Sequence, residues 1–230
     1  MTSLQAAIAH EDPLFAQAIH AVAVADTLEL SSLLKQHPQL ISARSKSDHK
    51  ATLLHYVTSN AIEDAIQLSP LQIYNVIRNA EGKARESAMK AAIEVPKLLI
   101  DAGAEVDALA ECYGGGLAQT PLNLLVSSGH PSAAGVLPQL TEIFCTGGAN
   151  LDGLDGKSTP VMTALGFGHP RAAAVLVEHG CTVDSLLLAA AAGDVAKLQE
   201  LLVDGVFSAV NTDRLVSNWF TPAMDSKSLA

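Results

Sequence analysis

The sequence predicts an all-α chain of short helix–turn–helix units placed side by side. Residues 158 to 184, STPVMTALGFGHPRAAAVLVEHGCTVD, contain two apolar helical stretches joined by Gly166-Phe167-Gly168 and closed by Gly180. The same alternation of short apolar stretch, glycine turn and short apolar stretch returns elsewhere in the chain. The apolar fraction is 49% with only 4% aromatic, so it is mostly Ala, Leu, Val and Ile, which suits many small, closely packed helices. Two short helices cannot bury their apolar faces alone, so each such unit needs a neighbour of its own kind.

Residues 1 to 11 read as a flexible lead. Asp12-Pro13 then gives an N-cap and a proline at the first helical position. Leu14, Phe15, Ala18, Ile19 and Val22 recur at helical spacing. Ala25-Asp26 marks a turn, and Leu30, Leu33 and Leu34 carry a second helix to His37-Pro38. This unit spans about residues 12 to 45, and the polar RSKSDHK (44 to 50) reads as a loop.

The second unit spans about 50 to 108 and is interrupted at about 62 to 92. Within the interruption, Ser69-Pro70 resembles a helix start, with Leu71, Tyr74 and Ile77 on one face, and Glu81 to Lys90 is charged and mixed in sign. Two readings stand: an extra helix lying against the units, or a mobile element that grips a partner. Pro96 is expected to kink or begin the helix that follows. The third unit (about 117 to 152) places Ser128-Gly129-His130 at its turn, and the fourth (about 156 to 184) buries Ala172, Ala173, Val175, Leu176 and Val177. The fifth (about 185 to 213) holds Leu186 to Ala192, Gly193-Asp194, then Leu198, Leu201 and Leu202. Residues 214 to 230 carry the single tryptophan, Trp219, and read either as a cap over the last apolar face or as a tail.

Thr52-Leu53-Leu54-His55 and Thr120-Pro121-Leu122-Asn123 resemble the Thr-Pro-Leu-His start of an ankyrin repeat, and LLIDAGAEVDA (98 to 108) is similar to that family's second-helix ending. The family repeats about every 33 residues. From Thr159 to Gly180 is 21 positions, the family spacing; from Thr120 to Gly148 is 28, and from Thr52 to Gly103 is 51. The additions fall between the two helices of each unit. The resemblance implies an ankyrin-repeat solenoid of about five repeats with short β-hairpin fingers. One finger is expected at 107 to 119, where Gly114-Gly115-Gly116 would allow a tight tip.

The resemblance also implies a protein-interaction scaffold that binds through its concave face and finger tips. Carried over residue by residue, the inner positions are Ser127, Ser128, Gly166 and Phe167, with Ser59 and Asn60 matched by count. The finger positions are Glu111, Cys112, Tyr113, Asp155, Lys157 and Ser158. Tyr113 and Phe167 are the aromatic anchors expected to matter most. The balance of charge is −10, and Glu105, Asp107, Glu111, Asp152 and Asp155 lie near the fingers, which points to a partner protein with a basic patch. The cut-short Thr221-Pro222-Ala223 leaves an end open to self-association.

Chemistry finds little footing. The acidic balance argues against nucleic acid. Cys112, Cys145 and Cys181 are far apart with no CxxC pair, and no histidines stand at i, i+4 with an acid partner, so neither a zinc site nor a disulfide framework is expected. There is no GxSxG or phosphate-loop pattern. No catalytic residue and no cofactor is assigned. His55 is expected to be structural, bonding to Thr52. The first 34 residues hold no Lys or Arg and no apolar run approaches a membrane span, so a cytoplasmic, membrane-free protein is expected. The alternative function is an enzyme, or a regulatory subunit of one, with a site between the insertion and the fingers.

Overall fold

The structure is a computed structural model that describes residues 9–58, 72–112, 117–154 and 159–203. Residues 214 to 230, and the insertion as far as residue 71, lie outside the described residues. The chain is all-α, mostly helical, and the one sheet among the described residues is a two-stranded hairpin. It divides into two compact units, Met1–Thr182 and Val183–Ala230.

In the first unit, α1 (Pro13–Val24) starts because the Asp12 carboxylate accepts the Leu14 N–H at 3.0 Å and Pro13 needs no partner for the N–H it lacks. Ala25 closes α1 in the left-handed region, at φ 54°. Asp26 caps α2 (Thr27–Gln36), which runs into a 3₁₀ turn, Pro38–Ser42. Then follow α3 (Leu53–Val57), α4 (Gln72–Asn79), α5 (Gly82–Asp101), the strands β1 (Ala110–Cys112) and β2 (Leu117–Gln119), α6 (Pro121–Val126), α7 (Gly129–Ala134), α8 (Leu137–Thr146), α9 (Thr159–Gly166) and α10 (Pro170–Glu178).

These helices contact one another in two rows. Helices α1, α3, α6 and α9 meet in that order, and so do α2, α5, α8 and α10. Across the rows, α1 packs on α2, α3 on α5, α6 on α8, and α9 on α10. Leu53, Leu122 and Leu125 of the first row and Leu99, Phe144 and Leu176 of the second are fully buried. Each such side chain contributes about 1.5–3 kcal/mol by leaving water. On α10 only Ala172, Ala173 and Leu176 are buried; Val175 and Val177 are half-buried, since one helix face cannot hold five residues of six.

Helices α5, α8 and α10 end alike. The N–H groups of Ala104, Ala149 and Cys181 reach back to the carbonyls of Leu99, Phe144 and Leu176 at 3.0 Å each. The preceding Gly103, Gly148 and Gly180 sit at φ 93°, 87° and 92°, where only glycine is unstrained.

The described part of the insertion begins at Gln72. Ile73, Tyr74 and Ile77 of α4 are buried, and the Tyr74 hydroxyl donates to the Val57 carbonyl at 2.9 Å. Helix α4 touches α1, α5 and α7. Helix α5 does not begin at Pro96: it runs unbroken from Gly82 to Asp101 with Pro96 inside it. Proline there leaves the Ala92 carbonyl without its intrahelical donor, a cost of about 3 kcal/mol in an exposed helix. Burial of Val95, Pro96 and Leu99 against the neighbouring helices outweighs it. The stretch from about 117 to 152 also departs from expectation. Ser128-Gly129-His130 does not make the turn between its two helices but opens the extra helix α7, and the left-handed turn residue is Gly135, at φ 79°. The seven added residues are spent on that helix. Arg85 of α5 donates to the Ala134 carbonyl at its end, at 3.3 Å.

The second unit, by itself, holds α11 (Leu186–Ala192) and α12 (Val195–Val203), packed on each other. The Ser185 hydroxyl accepts the Leu188 N–H at 3.2 Å, and Gly193 at φ 69° makes the turn.

Candidate functional site

The loops that link the helix pairs of the first unit form a hydrogen-bonded ladder. β1 and β2 pair antiparallel with Glu111 opposite Ala118. The Glu111 N–H also donates to the His49 carbonyl at 2.8 Å, joining the hairpin to loop 44–51. Arg44 strengthens that junction, donating to the Lys50 carbonyl at 3.1 Å and the Leu109 carbonyl at 2.6 Å. Further along, the Asp107 carboxylate accepts the Asn150 N–H, and the Asp152 carboxylate accepts the Thr182 N–H and hydroxyl, both at 2.6 Å. Asp107 and Asp152 each stand four residues after a helix-ending glycine, Gly103 and Gly148, and each bonds the residue two after the next such glycine. That spacing is the sequence signal that marks them.

His55 sits beneath this ladder, fully buried. Its Nδ1 accepts the Thr52 N–H at 3.1 Å and lies 2.8 Å from the Thr52 hydroxyl, so the proton is on Nε2, which donates to the Gln119 carbonyl at 3.3 Å. Burial lowers its pKa to about 4, against the carbonyl of Gln119, which favours the charged form. The residue ties the second helix pair to the third, the structural role expected of it.

The residues expected to meet a partner are placed differently by the structure, and the inner position Gly166 is exposed. Ser59, Asn60, Tyr113, Asp155, Lys157 and Ser158 lie outside the described residues. Glu111 and Phe167 are exposed, Phe167 at 47% of its surface. Cys112 is the last residue of β1. Ser127 and Ser128 are a correction. They are 5% and 1% exposed, so neither offers its side chain to a partner. The Ser127 hydroxyl bonds back to the Leu124 carbonyl at 2.8 Å, and Ser128 is consumed as the residue before α7.

The acidic character of the loops is also differently used. Asp107 and Asp152 hold loops together, and Glu105 lies 3.5 Å from the Arg44 guanidinium. Both members of that pair are well solvated, so it is worth under about 1 kcal/mol. Three of the acids expected to face a basic partner are thus first of all internal partners.

A polar cluster at the chain's start was not legible. Glu11, expected in a flexible lead, is buried, with its side chain 1% exposed. Its carboxylate accepts the Ser45 hydroxyl and, at 2.8 Å, the Lys46 N–H, and His10 Nε2 lies 3.2 Å away. The Ser47 hydroxyl meets that same His10 nitrogen. A serine, a histidine and a carboxylate thus stand together, but serine and carboxylate share one imidazole nitrogen. A relay needs the two on opposite nitrogens, so this is not a nucleophile triad.

Where the insertion meets α1 and α3 there is a small cavity lined, among the described residues, by Val22, Ala25, Val57, Ile73, Tyr74, Ala92 and Val95, none of them an acid or a histidine. Burial pushes the Cys145 and Cys181 thiols up to about 11, which makes them poor nucleophiles. Among the described residues no group of three or more His, Cys, Asp or Glu could hold a metal ion, and no helix is long and apolar enough to cross a membrane.

Set against known proteins, the chain matches no family model and no curated sequence.

Proposed function

We propose that the chain is an ankyrin-type repeat protein that works as an interaction scaffold, binding another protein through the loop ladder and the adjoining helix ends. The observation that carries this reading is the recurrence of one device: a glycine helix end followed four residues later by an aspartate that clasps the next loop, at Asp107–Asn150 and again at Asp152–Thr182. A chain that spends charged side chains on aligning successive loops presents them as one semi-rigid surface, and such a surface suits recognition by shape. The two rows of helices support the same reading.

The partner surface is narrower than the family pattern implies. Helices α4 and α7 occupy the helix ends of the second and third pairs, where Thr58, Ser127 and Ser128 are buried. Exposed Glu111 and Phe167 remain as anchors, and the family pattern adds Tyr113 and Lys157, which lie outside the described residues. The compartment that fits is the cytoplasm. The enzymatic alternative, a site between the insertion and the fingers, is the second reading.

The test is affinity capture with the intact chain beside a Glu111→Lys, Phe167→Ala variant whose helical content and melting match the parent. A partner retained by the parent and lost by the variant supports the scaffold. Equal capture by both proteins removes the loop ladder as the binding surface.

A further inference from the structure

Loop 44–51 is the first rung of the ladder, and several polar contacts hold it to the rest of the protein. On one side the buried Glu11 carboxylate grips it through the Ser45 hydroxyl and the Lys46 N–H. On the other, His49 closes it internally: Nδ1 accepts the Ala51 N–H at 3.1 Å, and the Ser45 N–H donates to the Ala51 carbonyl at 2.8 Å. Because Nδ1 is an acceptor, the single imidazole proton is on Nε2, and that buried atom has no hydrogen-bond partner. The His49 ring packs edge-on against Tyr56, which is 2% exposed. The closed loop therefore favours the neutral ring: a second proton would take the lone pair that holds Ala51 and would leave a charged ring whose buried Nε2–H has no acceptor.

We propose that His49 and Glu11 form an acid-sensitive latch: protonation of His49 opens loop 44–51 and releases the His49 carbonyl from Glu111 of the hairpin.

The charged neighbours of His49 oppose one another. Glu11 and Asp48 favour its protonation, and His10 and Lys50 disfavour it. Burial is the largest effect, and the net result is a pKa below the ordinary imidazole value. An open loop returns His49 to water and to an ordinary value of about 6.5. Opening then takes up one proton, and its equilibrium grows as pH falls through that value. Since the His49 carbonyl accepts the Glu111 N–H of β1, the latch would set whether the first rung of the proposed partner surface is formed, so this role rests on the scaffold reading.

The test is amide hydrogen exchange on the full chain at pH 7.5 and 5.5, corrected for intrinsic rates. It needs no partner, so it separates the latch from the scaffold. In the parent, opening at Lys46, Ala51 and Glu111 is expected to rise over that interval, by up to about tenfold, the limit set by one proton binding at a pKa of about 6.5 in the open loop. The rise should be absent in His49→Gln, and Glu11→Gln should raise opening at Lys46 at both pH values. Unchanged exchange across α6 to α10 shows that each variant is folded. Equal opening at the two pH values in the parent, or a rise that persists in His49→Gln, overturns the proposal.

Discussion

The Asp107 carboxylate spans the gap between two helix pairs and accepts the Asn150 N–H with both oxygens, at 3.1 and 3.0 Å. Asp152 repeats the contact on Thr182 and adds the Thr182 hydroxyl. A charged acceptor bonded to a backbone N–H is worth about 1.5–3 kcal/mol where buried and less at a solvated loop.

Asp152→Ala should therefore destabilise by about 1–2 kcal/mol, and more than Asp107→Ala, because it releases two donors rather than one. Urea unfolding with an unchanged slope is the measurement. An Asp107→Ala cost larger than that of Asp152→Ala would count against the clasp as the source of the loss.

Ala25 holds a left-handed conformation, φ 54°, at a turn where Gly135, Gly168 and Gly193 hold it elsewhere. A side chain there costs roughly 1 kcal/mol. Ala25→Gly is expected to leave stability unchanged or to raise it by up to about 1 kcal/mol, whereas Ala→Gly inside a helix lowers it by a similar amount. A clear drop in melting temperature would show that the Ala25 methyl, which is buried, contributes more than the strain.

His55 makes stability depend on pH. Above about 6.5 the ring is neutral in both the folded and the unfolded chain. Below that, the unfolded chain takes up a proton that the folded chain resists down to about 4, so stability falls as pH falls across this window. The loss is at most roughly 3 kcal/mol. His55→Asn, which copies Asn123 at the matching place in the next helix pair, should flatten the curve between pH 6.5 and 4 relative to the parent. Parallel curves would assign the acid sensitivity to other groups.

Tyr74 pins the insertion through its hydroxyl on the Val57 carbonyl, and burial drives its pKa upward. Tyr74→Phe should cost about 1–2 kcal/mol, because a buried carbonyl is left unpaired. Tyr74→Ala should cost about 3–5 kcal/mol. Protease resistance of the α4–α5 junction should fall in the same order. Equal resistance in all three proteins would mean that α4 is held by something else.

The legible parts of the fold were those governed by a few neighbouring residues. Asp12-Pro13 and Thr120-Pro121 each begin a helix, and Gly103, Gly148 and Gly180 each end one. Tyr74 and Ile77 showed the buried face of α4 by spacing alone. Other features depended on distant residues. Nothing beside Glu11 in the chain announces that Ser45 and Lys46 will bury it. Ser127 and Ser128 have the right position for a partner contact, but α7 turns away the surface they would have offered. Pro96 signals a helix start, and only its burial explains why α5 runs through it.

In a row of like units each one touches only the next, and such a row can melt from either end by degrees. Helix α4 breaks that pattern. It bears on α1 of the first pair, α5 of the second and α7 of the third, and so acts as a strut across three rungs. Those three pairs cannot separate without first shedding it, so they should melt as one block. The pair α9–α10 has no such brace among the helices packed on it. Within the first unit, under a mechanical pull, it is the link that would yield first.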